Sequence, residues 1–319
     1  MPIEELEFTI AESQKGQRLD QALAELCPQH SRSRLQTWIK SGYITINNVV
    51  PKQRDVVMGG ETVNIRAEFE AQDKAWSKES IPLDIVYSDP DIVVLNKPPG
   101  LVVHPGAGNR EHTLLNALLF HIPELEQVPR AGIVQRLDKD TSGLMVIARN
   151  LPAHTYLVDQ LHKRLVTREY RCIVSGVMTA GGSVNAPIGR HPVKRKSMAI
   201  VQSGKPAVTH YRVLKKFLAN TYIQLQLESG RTHQIRVHMA HIRYPVVGDP
   251  IYGGRQRFPK SAGPALLQEL QSFPRQALHA SRLAFTHPST NKVVSWETPI
   301  PEDMKHLLEL LETNGKPAE

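Results

Sequence analysis

Gly132-Ile133-Val134-Gln135-Arg136-Leu137-Asp138-Lys139-Asp140-Thr141-Ser142-Gly143-Leu144 is the stretch from which the fold is read. It passes from a charged loop into an apolar run, Leu144–Ala148, of the length and composition of a buried strand. Thr141, Ser142 and Gly143 mark a tight turn just ahead of it. A carboxylate on such a loop is held by a rigid sheet while its head faces a cleft. Asp138 and Asp140 are therefore candidates for chemistry. The same residues also suit a plainer role, with Asp140 capping the turn and Lys139 in a surface ion pair.

Working outward, Asp91–Asn96 reads as a second buried strand, stopped by Lys97-Pro98-Pro99-Gly100. Tyr170–Val174 and Tyr222–Leu227 alternate as half-buried strands do, and helices are expected around Thr113–Phe120 and Pro301–Leu311. Strands do not alternate regularly with long helices, which argues against a doubly wound parallel sheet and for an α+β domain over residues 81–319.

Residues 1–66 form a separate α-then-β unit. Leu19, Ala22, Leu23 and Leu26 share one helical face, and Pro28 ends that helix. Ser31 can cap a second helix, Arg32 to Lys40, that buries Leu35, Trp38 and Ile39 and stops near Gly42. Strands are expected at Tyr43–Asn47 and Val63–Ile65, with Asn47-Asn48 turning between them. Residues 67–80 are polar and aperiodic and read as a linker.

The chain has 319 residues, which at roughly 150 per domain agrees with two domains. No window approaches about 18 consecutive apolar residues, and the acidic start, MPIEELEFTI, has no signal-peptide pattern. Two cysteines, Cys27 and Cys172, exclude a disulfide scaffold and a cysteine-based zinc site. A cytoplasmic protein without a membrane segment is expected. The net charge is +8, and residues 151–260 hold 18 basic against 4 acidic residues. Arg190, Lys194, Arg195 and Lys196 lie in that stretch, and Arg32, Arg34, Lys40, Lys52 and Arg54 form a smaller basic group near the N-terminus. A field so concentrated attracts a polyanion, nucleic acid above all.

Three segments, Gly16-Gln17-Arg18-Leu19-Asp20, Ser31-Arg32-Ser33-Arg34 and Gly42–Asn47, resemble an S4-type RNA-binding module. The Arg136-Leu137-Asp138 loop with its Thr141-Ser142-Gly143 sequel resembles the catalytic motif of the RluA-type pseudouridine synthases. Thr167-Arg168-Glu169-Tyr170 and Gly230–His238 match that family in order, and Asn96–Gly106 and Leu278-His279-Ala280 also fit it. The resemblance implies a catalytic domain with a mixed, largely antiparallel sheet and isomerisation of uridine to pseudouridine in RNA without cofactor or metal.

By the same resemblance Asp138 is catalytic, Arg236 its ion-pair partner, and Tyr170 a stacking residue whose hydroxyl assists at C5. Arg136 would hold the target base out of the helix. Longer matches, among them Ile81–Tyr87 and Val247-Gly248-Asp249-Pro250, lie nearest the branch that modifies several uridines in one stem-loop of 23S ribosomal RNA. The expected partner is thus 23S rRNA or a large-subunit precursor particle, with the enzyme a monomer; the alternatives are a synthase of the same family acting on other rRNA or tRNA sites, or a non-catalytic RNA-binding ribosome-assembly factor. Gln135 departs from the family, which usually has histidine there, and removes a group that could titrate. Asp20 repeats the Arg-Leu-Asp tripeptide without its sequel and is read as structural, while Asp140 is expected to be dispensable. His233, His238 and His241 lack a carboxylate ligand at metal-site spacing, so no metal is expected.

Overall fold

The computed structural model describes residues 3–27, 32–68, 76–106, 109–194, 197–254, 258 and 262–314. They divide into two compact units, residues 1–75 and 76–319. Among the described residues no helix is long and apolar enough to cross a membrane.

In the first unit, β1 (Ile3–Thr9), β2 (Ile44–Ile46) and β3 (Thr62–Glu68) form an antiparallel sheet in the order β1-β3-β2. Helices α1 (Leu19–Leu26) and α2 (Arg32–Lys40) complete it. Leu19, Leu23, Leu35 and Ile39 are buried against Ile44, Val63 and Ile65. Strand β1 was not anticipated, although Leu6 and Phe8 pair with Ile65 and Val63 and pack on this core. Asn47 and Asn48 both take positive φ, the turn expected there. Strand β3 continues through Glu68, two residues into the stretch read as linker, because Ala67 is buried in the core. At that stretch's other end, Ser77 accepts a hydrogen bond from Asn116 and Glu79 accepts one from the His112 backbone, so residues 76–80 pack on the second unit. Pro28 and Ser31 lie outside the described residues.

The second unit is built on one nine-stranded sheet. Its strands are β4 (Ile85–Ser88), β5 (Ile92–Lys97), β6 (Ser142–Ala148), β7 (Thr167–Ser175), β8 (Gly182–Asn185), β11 (Val208–Lys216), β12 (Asn220–Leu227), β13 (Leu278–Thr286) and β14 (Val293–Glu297). The order is β4-β5-β6-β13-β7-β12-β11-β8, with β14 also on β13. A separate ribbon pairs β9 (Ile188–Arg190) with β10 (Met198–Ile200).

All sheet pairings are antiparallel except β6 with β13, which run parallel through His279–Ser142 and Ala280–Gly143. The apolar runs of β5 and β6 follow from burial on both faces. Val93, Leu95, Met145 and Ile147 enter the main core with α3 (Leu114–His121), α6 (Pro264–Ser272) and α7 (Glu302–Asn314). Ile92, Val94, Leu144 and Val146 face α4 (Leu151–His162) through Ala153 and Leu157. Gly143, expected in a turn, lies inside β6. A Cβ there would stand 2.2 Å from the Ala280 carbonyl oxygen at φ +117°, so this glycine permits the close parallel pairing.

Candidate active site

The loop ahead of β6 is fastened from several sides. Gly132 takes φ +74° with its backbone against the Ala148 carbonyl. At the end of β5 Lys97 is fully buried, and its ammonium donates to the carbonyls of Pro98 (2.7 Å), Leu101 (3.0 Å) and Lys139 (2.8 Å). Those three bonds use every ammonium proton and tie the loop, one residue past Asp138, to the sheet. Burial pushes Lys97 down to about 7, against the opposing pull of Asp140 and Asp138.

Asp138 projects from this loop into a cleft of about 940 Å³ that Tyr170, Arg136, Gln135, Arg168, His233 and Arg236 help to line. Helix α5 (Gln234–His241) brings Arg236 beneath it, with Nη1 3.0 Å from Asp138 Oδ2. The other edge of the guanidinium is held by Asp249, Nε to Oδ2 at 2.7 Å and Nη2 to Oδ1 at 2.9 Å. Asp249 is itself fixed by the backbone N–H groups of Ile251 and Tyr252 at 2.9 and 3.0 Å. Burial alone would lower Arg236, but Asp249 and then Asp138 outweigh it and hold the guanidinium well above the ordinary arginine range. One buried cation is thus clamped between two carboxylates, one facing the cleft and one wholly enclosed.

Tyr252 covers this arrangement, its ring 5.1 Å from the Arg236 guanidinium carbon. Its hydroxyl accepts from the Met198 backbone and lies 2.8 Å from His233 Nδ1, and His233 Nε2 stands 3.9 Å from Asp138 Oδ1. His233 lies at the start of α5 in the left-handed region, φ +56°. Burial lowers His233 below the ordinary range, against the opposing field of Asp138.

Tyr170, on the central strand β7, is buried at the floor of the cleft, and its hydroxyl has no partner among the described residues. Burial raises its pKa, with Arg168 acting in the opposite direction.

The structure therefore brings Asp138, Tyr170, Arg236 and Arg136 to one cleft, Arg136 as an exposed side chain on its wall. Arg190 and Lys194 are exposed on and just beyond the β9–β10 ribbon of the same unit. Lys40, Lys52 and Arg54 are exposed on the first unit. Arg195 and Lys196, and the side chains of Arg32 and Arg34, lie outside what is described. Asp20 is buried and accepts from Arg18 at 3.0 Å and from Gln36 at 2.6 Å, which links α1 to α2.

The three histidines of α5 and its approach do not converge. His238 is taken up by the Thr209 hydroxyl and the Ala186 carbonyl, and His241 is exposed. Sequence reasoning gave no role to Lys97, Asp249 or Tyr252. A lysine closing an apolar strand run and the family match at Val247–Pro250 were the available signals for the first two, and for Tyr252 there was none.

A model of the RNA pseudouridylate synthase family matches residues 91–241. Ribosomal large subunit pseudouridine synthase D of Pseudomonas aeruginosa is 57% identical over 296 residues, covering 93% of this chain and 92% of that protein. The protein of the same name from Escherichia coli K12 is 54% identical over 308 residues, covering 96% and 94%. Among solved structures, human RNA pseudouridylate synthase domain containing 4 is similar at TM-score 0.56 and 28% identity, over 72% of this chain and 93% of that one. Human RNA pseudouridylate synthase domain containing 1, at TM-score 0.54 and 24% identity over 75% and 98%, shares the fold. The matched segment holds the aspartate loop, the tyrosine strand and the arginine helix, and the likeness to whole relatives runs almost end to end: this chain belongs to the RluA-type family of RNA pseudouridylate synthases and is an enzyme that converts uridine in RNA to pseudouridine.

Proposed function

We propose that this enzyme modifies uridines of large-subunit ribosomal RNA, with Asp138 as its catalytic residue. The substrate reading is supported by the names of the Pseudomonas aeruginosa and Escherichia coli relatives. The observation that carries the site assignment is the Asp138 carboxylate held 3.0 Å from a doubly anchored arginine at the base of the cleft. In the reaction the N1–C1′ bond of uridine breaks, the uracil turns over, and C5 bonds to C1′. The proton lost from C5 is matched by one gained at N1, so no atom enters or leaves.

A base inside a helical stack is out of reach, so the target nucleotide must be flipped into the cleft. Exposed Arg136 enters the gap left behind. Uracil lies on the ring of Tyr170, and Asp138 meets the ribose as the glycosidic bond weakens, offsetting the positive charge that develops there. Burial raises the Tyr170 pKa above the ordinary range, and in this reading its ring carries the uracil while its hydroxyl assists at C5. Arg236 supplies a fixed charge and geometry. Gln135, half-buried on the cleft wall, offers hydrogen bonds only, which suits a residue that shapes the loop.

In the same reading the first unit is an S4-like module holding RNA through Lys40, Lys52 and Arg54 with Arg32 and Arg34. Arg190 and Lys194, together with Arg195 and Lys196, add non-specific attraction. The protein acts as a monomer without cofactor or metal.

The test is pseudouridine mapping on 23S rRNA from cells lacking the gene, complemented with wild type or Asp138→Asn and read by carbodiimide-dependent reverse-transcription stops. Stops restored in one stem-loop by wild type alone are expected. Restoration by both proteins removes Asp138 from the chemistry, and restoration by neither removes large-subunit RNA as the substrate.

A further inference from the structure

Arg168 stands in the cleft with no role in the chemistry above. It precedes Tyr170 by two residues on β7, so the two side chains leave the same face of the strand, about 7 Å apart along it. Glu169 between them points the other way and is taken up by Gln224 at 2.6 Å and Arg282 at 3.2 Å. Arg168 is only 8% exposed and lines the cleft, yet it makes no hydrogen bond or ion pair with any described residue, and its Nε is enclosed without an acceptor. The two other buried arginines of the unit are matched to acids, Arg236 to Asp138 and Asp249 and Arg275 to Asp303, whereas half-buried Arg171 shares with Arg168 an enclosed nitrogen without a partner but lies outside the cleft lining.

A buried guanidinium without a counter-charge is costly to the fold and is retained where a ligand supplies the missing anion. Burial pushes Arg168 below the usual arginine range, and the ionisable neighbour that acts on it is Tyr170, not an acid. Arginine nonetheless stays charged. Its seat is made by Gly230, where a Cβ would fall 2.9 Å from Nη1. Gly230 thus leaves room for the guanidinium head at the edge of the cleft.

We infer that Arg168 is a phosphate-binding residue, its guanidinium receiving the phosphodiester that flanks the nucleotide whose base lies on Tyr170. The inference rests on the isomerisation reading and adds to it the contact that fixes the sugar–phosphate strand at the reacting nucleotide. The planar fork of arginine matches two phosphate oxygens. Its spacing from Tyr170 lies within the span of one nucleotide. Such a contact positions without reading sequence, and it offsets the cost of drawing the nucleotide out of its stack.

The experiment uses the stem-loop RNA that wild-type enzyme is found to modify, synthesised with a single uncharged methylphosphonate linkage 5′ or 3′ of the target uridine. At one of the two linkages wild-type affinity is expected to fall about tenfold to a hundredfold. Arg168→Gln should show that loss already on native RNA, be indifferent to the methylphosphonate, and give a salt slope smaller by about one counterion. Gly230→Ala, which keeps the charge but crowds its seat, should weaken binding in the same direction. The wild-type comparison needs no variant to fold. Wild type binding both modified RNAs as tightly as native RNA overturns the assignment, as does an Arg168→Gln enzyme still sensitive to the methylphosphonate. Because the RNA is chosen by wild-type turnover, either result leaves the isomerisation reading standing.

Discussion

Replacing Asp249 with asparagine removes one charge and almost no volume from beside the arginine that holds the Asp138 carboxylate. The wild-type carboxylate accepts four hydrogen bonds, from Nε and Nη2 of Arg236 and from the backbone of Ile251 and Tyr252. Asparagine keeps the oxygen that faces Nη2 and the two backbone donors. Its amide NH₂ must then stand opposite Arg236 Nε, donor against donor. A charge-assisted bond is worth roughly 1.5–3 kcal/mol, and breaking a buried ion pair costs about 3–5 kcal/mol because the surviving charge loses its partner. Asp138 retains part of that charge balance, which places the expected loss at about 3 kcal/mol. In urea the midpoint of the catalytic unit should fall by about 1 M. Turnover should fall roughly a hundredfold, the effect of a displacement on the order of 1 Å at a reacting group, while RNA affinity changes little. Stability within about 0.5 kcal/mol of wild type together with turnover within about twofold would refute the claim that Asp249 holds the arginine in place.

Three further expectations come from the same geometry. Lys97→Met leaves three carbonyls without a donor and frees the aspartate loop, so it should lower the urea midpoint by about 1 M or more and depress turnover. An unchanged midpoint would show that the three bonds contribute little. His279 is buried with its pKa pushed down from 6.5 to about 4, mainly by burial and then by Arg275. The unfolded chain therefore binds the extra proton first, and about 3 kcal/mol of stability, complete above pH 6.5, is lost as pH falls from 6.5 to 4. Denaturant titrations across that window should show the slope, and His279→Asn should flatten it. Gly143→Ala would place a methyl group 2.2 Å from the Ala280 carbonyl oxygen and should cost several kcal/mol, read as a collapse of the thermal midpoint; a near-normal midpoint would mean that β6 and β13 can separate at little cost.

Local pattern determined much of this protein. The apolar runs of β5 and β6 were legible because burial on both faces demands them, and α1 and α2 because one face of each is apolar. Asp138, Tyr170 and Arg236 were picked out because each sits in a short motif that resembles one of the family's; residue chemistry alone left Asp138 and Asp140 open between catalysis and turn capping. Strand β1 escaped notice because its acidic residues, Glu4, Glu5 and Glu7, mask the alternation of Leu6 and Phe8.

What only the tertiary structure decided is how separated residues meet. Asp249 reaches Arg236 across 13 positions, the Lys97 ammonium finds a carbonyl 42 positions away, and β6 pairs with β13 across 137. Hydrogen bonds and ion pairs of this kind depend on distance in space and leave no periodicity in the chain. For the same reason Arg168 looked like any other basic residue in a basic stretch. Folding buries its charge beside Tyr170, in the cleft, without an acid to match it.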